Sequence, residues 1–201
     1  MLILASTSPR RKELLKSIRI SSQIAAPHVD EKPQRGEAPR HLVRRLAFEK
    51  AKSVAKNLIH SGTMRLILAA DTIVLSPQGN KILGKPKDKK EAFKMLSTLA
   101  GKTHTVLTAY CIFPVGKGEK SNPLIRIVCS RVTMRDLTAS AIRNYIRLDK
   151  PFDKAGSYAA QGLGMALILR ISGSYTNVVG LPVAQLLLDL EREFGISPFL
   201  E

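Results

Sequence analysis

The sequence has no tryptophan, 5% aromatic residues and two cysteines, Cys111 and Cys129. So few aromatics argue against a single-strand nucleic-acid groove, which stacks bases on rings. Two cysteines are too few for a disulfide scaffold or a cysteine-built zinc site, and they suit a reducing compartment. Long apolar runs are missing as well. Nothing approaches the ~20 residues that span a bilayer, and the apolar start Met1–Ala5 has no basic stretch before it and stops at Ser6. A cytoplasmic protein with no membrane association is the expectation. Acids are scarce, 16 against 32 bases, for a net charge of +16. The excess is uneven: 13 bases against 5 acids over residues 1–60, 15 against 6 over 61–149, and 4 against 5 over 150–201. A field of this sign attracts nucleotides, phosphates or nucleic acid without choosing among them.

What is present is ordinary for a folded chain: 201 residues, 44% apolar and 24% charged. That is one domain, or one core in two lobes, large enough to need no staples. No composition break marks a boundary, and no repeat appears. Leu2–Ser6 reads as a short buried strand and Pro9–Ile18 as a helix. Arg40–His60 is a longer helix with Leu42, Leu46 and Val54 in helical register. Leu66–Leu75 is an apolar β run that turns at Gln78–Asn80 and returns over Lys81–Leu83. Asp88 caps a helix running to Leu99. Strands follow at Thr103–Phe113 and Leu124–Met134, joined by an exposed connection, Pro114–Pro123. Thr138 opens a helix to Arg147. Met165–Ile171 reads as a strand, Ser172–Gly180 as a loop and Pro182–Phe194 as a helix. Mixed strands and helices mean α/β or α+β.

Four segments can carry chemistry. In the first, Ser8 fits a helix N-cap and Pro9 the first helical position. A strand then feeds a helix N-terminus, which suits an anion. Arg10 and Arg11 in that first turn oppose the helix dipole unless an anion is present; the alternative is a plain capped helix with solvated arginines. In the second, Asp71 interrupts an apolar β run. A buried carboxylate needs a base, a hydrogen-bond network or a metal, unless a bulge exposes it. In the third, Gly84-Lys85-Pro86 restrains a lysine that could meet a phosphate or lie solvated in a lysine-rich turn. In the fourth, the loops Asp153–Gly162 and Gly173–Pro182 are rich in glycine and in amide and hydroxyl side chains. They can wrap a ligand or serve only as turns. Asp30-Glu31 reads as metal-binding oxygens or a surface turn, and Glu49 with Lys50 as a solvated helix face. His28, His41, His60 and His104 lack metal-ligand spacing. Neither a Walker loop nor a dinucleotide fingerprint is spelled.

In their joint order these segments resemble the Maf family of nucleoside triphosphate pyrophosphatases, over nearly the whole chain. The matching stretches are Leu4-Ala5-Ser6, Ser8-Pro9-Arg10-Arg11, Glu13-Leu14-Leu15, Asp30-Glu31, Arg45-Leu46-Ala47, Lys50-Ala51, Ala70-Asp71-Thr72, Gly84-Lys85-Pro86, Asp153-Lys154-Ala155-Gly156, Tyr158, Gln161-Gly162 and Asn177–Pro182. The resemblance implies an elongated, two-lobed α/β fold of the Maf/ITPase type, with a mixed central sheet and a deep cleft. It implies hydrolysis of a nucleoside triphosphate to monophosphate and pyrophosphate with Mg²⁺ or Mn²⁺. Arg10-Arg11, Thr72 and Gln161 are similar to the dTTP/UTP branch, with house-cleaning of modified pyrimidine nucleotides as a further role. In this reading Ser8, Arg10, Arg11, Lys50 and Lys85 meet the triphosphate. Glu31 and Asp71 hold the metal, Asp71 is the proton acceptor, and Arg10, Thr72 and Gln161 read the base. Ala109 and Lys150 depart from the family's usual Gly and Glu. The rival readings are a nucleotide-binding regulator of septum formation and a basic nucleic-acid-binding module, although no specific nucleic-acid motif is present. A homodimer is compatible with the sequence, which does not fix the oligomeric state.

Overall fold

The computed structural model describes residues 1–58, 64–116 and 122–199. His60 and residues 117–121 of the expected connection lie outside them. Among the described residues seven strands form one sheet: β1 Leu2–Ala5, β2 Gln23–Ala25, β3 Arg65–Leu75, β4 Ile82–Leu83, β5 Thr103–Val115, β6 Leu124–Met134 and β7 Ile168–Ser172. The order is β2-β1-β3-β5-β6-β7, with β4 paired to β3. β1 is parallel to both its neighbours, and β7 is antiparallel to β6, so the sheet is mixed. The helices are α1 Pro9–Ser17, α2 Pro39–Ala55, α3 Lys89–Leu99, α4 Ala139–Asp149, α5 Tyr175–Val179 and α6 Val183–Phe194. The class is α/β. No described helix is long and apolar enough to cross a membrane.

The chain divides into two compact units: Met1–Asp71, Thr108–Val128 and Gly180–Glu201 form the first, Thr72–Leu107 and Cys129–Val179 the second. In the first, β1 is buried at all four residues, as a strand flanked by parallel neighbours requires. Leu42, Val43, Leu46, Ala47, Ala51 and Val54 bury the apolar stripe of α2. Tyr110, on β5, donates to Asp189 Oδ2, and Arg126 grips both oxygens of the same carboxylate at 2.7 and 2.5 Å. Burial alone would raise the pKa of Asp189; the hydrogen bonds from Arg126 and Tyr110 outweigh it and hold the carboxyl below its usual range. In the second unit, Leu96, Leu99, Val132, Met134, Ile142 and Ile146 belong to one core cluster.

Three expectations change. α2 starts at Pro39 and ends at Ala55. Residues Met165–Leu167, expected in a strand, complete a 3-10 turn over Gly162–Leu167, and β7 starts only at Ile168. Gly164 permits that turn, because a Cβ there would stand 2.1 Å from the Ala159 carbonyl oxygen. The expected loop Ser172–Gly180 contains α5. Ser174 Oγ accepts the Asn177 N–H at 3.1 Å, which is the bond that an N-capping serine makes.

Candidate active site

The first unit assembles its charged cluster at the exit of β1. Ser8 stands at the N-cap of α1, but its side chain makes no capping bond. The expectation of a capping hydroxyl is corrected: the Ser8 N–H donates to Ser6 Oγ at 3.1 Å, so Ser6 shapes the turn. Pro9 takes a first-turn position, and no acid stands in that turn. Helical N–H groups and Arg10 and Arg11 therefore concentrate positive charge at this end. Arg11 Nε donates to the Gly180 carbonyl at 2.8 Å, and Nη1 reaches Ser6 Oγ at 3.4 Å. Burial pushes the Arg11 pKa down. Asp71 pulls it back up, Arg10 lowers it further and Glu31 raises it. Arg11 is thus a poorly hydrated cation within electrostatic reach of both carboxylates.

Asp71, 8% exposed, lies on β3 and finds its partner in Lys50 on α2. Lys50 Nζ stands 2.6 Å from Asp71 Oδ1 and 2.6 Å from Glu31 Oε1. The expectation of a solvated face for Lys50 is corrected, since the residue is 6% exposed. A carboxylate in an apolar strand requires a buried cation, and α2 supplies it. Glu31 reaches the cluster from an exposed loop. Asp30 Oδ1 accepts the Lys32 N–H at 3.1 Å and shapes that loop. Arg45 braces it through the Lys32 carbonyl at 3.1 Å and a double hydrogen bond to Glu37 at 2.7 and 2.8 Å. Ser53 Oγ donates to the Lys50 carbonyl and accepts the His28 N–H, tying Lys50's turn of helix to the segment before Glu31. The Arg45 hydrogen bond holds Glu37 down to about 2.

Thus Ser8, Arg11, Glu31, Lys50 and Asp71 share the first unit with Arg10, which is half-buried. Thr72 follows Asp71 directly and is half-buried. Lys85 and Gln161 belong to the second unit. Lys85 is exposed and lines a groove of about 480 Å³ with Lys81, Asp88, Lys90, Glu91 and Lys94. The Gly156 N–H bonds the Gly84 carbonyl at 3.1 Å, which stitches the Asp153–Gly162 loop to the turn that carries Lys85. Gly156 has φ +69°, and a Cβ there would press on Val74 at 3.0 Å, so both backbone and space call for glycine. Gln161 is half-buried at the head of the 3-10 turn. Lys150 is exposed and takes a left-handed position closing α4.

Sequence reasoning missed Ser6, Gly180 and Arg45 as site-building residues. Their contributions are a buried hydroxyl, a carbonyl and a brace, and of the three only the Gly180 carbonyl acts without a side chain. Among the described residues no group of three or more His, Cys, Asp or Glu could hold a metal. Glu31 and Asp71 converge on the Lys50 ammonium, and such a pair fits a hard cation that keeps waters and takes one or two carboxylates plus phosphate oxygens.

The family model described as Maf-like protein matches residues 1–193. A dTTP/UTP pyrophosphatase of Syntrophomonas wolfei is 44% identical, over 90% of this chain and 92% of that protein. One of Clostridioides difficile is 41% identical over 98% and 97%, and one of Bacillus pumilus 43% over 98% and 98%. The solved Staphylococcus aureus Ham1 protein is similar at a TM-score of 0.49 and 13% identity, over 83% of this chain and 79% of that one, too distant to bear on function. With its carboxylates, lysine and arginine gathered beside the first helix, and with the family model matching nearly its full length, the chain belongs to the Maf family.

Proposed function

We propose that this chain hydrolyses dTTP and UTP to the monophosphate and pyrophosphate. The observation that carries the reading is the convergence of Asp71 and Glu31 on Lys50 in a chain of this family. The triphosphate lies against the N-terminus of α1, where Arg10, Arg11 and Ser8 meet its charge. Glu31 and Asp71 would hold Mg²⁺ or Mn²⁺, and the bound ion would neutralise charge developing on the phosphoryl oxygens and on the leaving pyrophosphate. Asp71 accepts the proton of the attacking water. The water oxygen bonds to the α-phosphorus, and the bond from that phosphorus to the bridging oxygen breaks with its electron pair leaving on pyrophosphate. Lys50 and Arg11 offset the charge that builds in this poorly hydrated place.

Lys85 is expected from the family resemblance to contact phosphate, and Arg10, Thr72 and Gln161 to select a pyrimidine. Arg10 supports the base-reading role only through its place in the first turn, so the kinetics of Arg10→Ala and Gln161→Ala test it separately. Both cysteines are free, which suits a reducing, cytoplasmic setting.

The test is a panel of nucleoside triphosphates assayed for pyrophosphate with and without Mg²⁺, with the reaction also run in ¹⁸O-water. Metal-dependent pyrophosphate from dTTP and UTP, little from ATP or GTP, and label in the monophosphate are expected. Orthophosphate release, or equal rates for purines and pyrimidines, would refute the bond or the selectivity. Nucleotide binding without turnover would favour a regulatory protein.

A further inference from the structure

We propose that Lys50 is a tethered placeholder for the metal: its ammonium occupies the point between Glu31 and Asp71 that the divalent cation takes, so the ion loads only as a bound triphosphate draws the lysine away. This rests on the reading of those carboxylates as the metal's holders. The motivation is geometric. Nζ stands 2.6 Å from one oxygen of each carboxylate, and divalent ions take carboxylate oxygens at roughly 2.0–2.6 Å. Lysine and metal therefore compete for one place.

The surroundings decide which cation gives way. Arg11 is fixed by the Gly180 carbonyl and Ser6. Lys50 carries its charge on a flexible four-carbon stem with three rotatable donors, and its contacts here are to the two carboxylates that the metal needs. The triphosphate would give the lysine another anion to face. Glu31 is 53% exposed at its side chain and can adjust; Asp71 is fixed in its strand. Metal binding is then coupled to nucleotide binding through one side chain, and by linkage each tightens the other. A metal-first order is disfavoured, which keeps the free protein's carboxylate pair neutralised without an ion.

Direct Mn²⁺ binding to the whole chain, followed by the electron-spin signal of the free ion without nucleotide, tests this. Wild type should bind Mn²⁺ weakly. Lys50→Met should bind it about tenfold more tightly or better, on the usual scale of such couplings. Mn²⁺ should also raise the Tm of Lys50→Met more than that of wild type, because a tighter ligand stabilises more at equal concentration. Lys12→Met removes an exposed positive charge from α1, and should gain much less. Equal gains in the two variants would reduce the effect to general electrostatics and overturn the proposal; no gain in Lys50→Met would overturn it outright. Lys50→Gln, neutral and still able to donate to Asp71, serves if the methionine variant does not fold. Wild type is also measured with non-hydrolysable α,β-imido-dTTP. If it binds no Mn²⁺ even then, the metal reading of the carboxylates has failed. If it binds Mn²⁺ with the analogue and turns dTTP over, while neither Lys50 variant gains affinity, the placeholder alone has failed.

Discussion

Asp71 shows what one residue can and cannot say in advance. An acid in the run Ile67–Val74 has to be neutralised, so a partner was implied by the sequence; that the partner is Lys50, twenty-one positions upstream on α2, was not. Asp71→Asn keeps the shape and removes both base and charge. We expect kcat to fall by on the order of 10²-fold or more, the scale of a lost general base. Lys50 keeps Glu31 as a partner, so the Tm should fall only modestly, and kcat per folded molecule separates chemistry from stability. Near-normal turnover in folded Asp71→Asn would end the assigned role. Arg11 was legible as a cation at a helix N-terminus, but its anchors, Gly180 and Ser6, were not, because a carbonyl 169 residues away leaves no mark in the sequence. Arg11→Ala should lower kcat/KM by about tenfold or more, a charged hydrogen bond's worth, with KM raised. Arg19→Ala, outside the cluster, should leave both constants near wild type; equal losses in the two variants would contradict the helix-terminus argument.

Elements were readable where length or caps spoke, and misread where tertiary contact alone decides. Asp88 and Thr138 accept the N–H bonds of a cap at α3 and α4, and the long strands β3, β5 and β6 match their apolar runs. β2 has three residues, none fully buried; it is a strand because Gln23, Ile24 and Ala25 register with β1, and no alternation announces it. α5 is too short for helical period to show, although Ser174 was there to cap it. The end of α1 carries a device that the sequence disguises. Ile20 N–H bonds the Leu15 carbonyl and Arg19 N–H the Lys16 carbonyl, with Arg19 at φ +57°. That is the paired closure which usually places glycine at the left-handed position, as Gly195, at φ +62°, does behind α6. Arg19→Gly should relieve backbone strain and raise stability by roughly 0.5–1 kcal/mol after the entropy of a free glycine is counted. Gly195→Ala, with open space at its Cβ, should cost about 1 kcal/mol. Thermal unfolding measures both; matching shifts of the same sign would contradict the closure argument.

At the scale of the whole molecule the charge of +16 favours an anionic partner without naming one, and the order of motifs pointed to the family. Neither foretold how stability depends on pH. His104, 2% exposed in the second unit, meets Tyr158 Oη through Nε2 at 2.7 Å, with the rings edge to face. Its Nδ1 has no hydrogen-bond partner among the described residues. Burial therefore penalises the charged imidazolium and pushes His104 down to about 4 from 6.5. A group whose folded pKa lies below its unfolded value contributes its full stabilisation above the unfolded value. That contribution is lost as pH falls, because the unfolded chain takes up the proton first. The loss from His104 thus begins near pH 6.5 and is complete near pH 4, and it amounts to about 3 kcal/mol at most. Glu37, held at about 2 by Arg45, loses its contribution in a lower window, from about pH 4.5 downward, so the two are separable. Unfolding by denaturant at pH steps from 7 to 4 should show a stability decline in wild type that is shallower in His104→Gln, whose amide can still reach Tyr158 but takes up no proton. Parallel profiles for the two proteins across that interval would mean that His104 is hydrated in the folded state or is charged there at no cost, and the buried pair with Tyr158 would then not be the source of acid sensitivity.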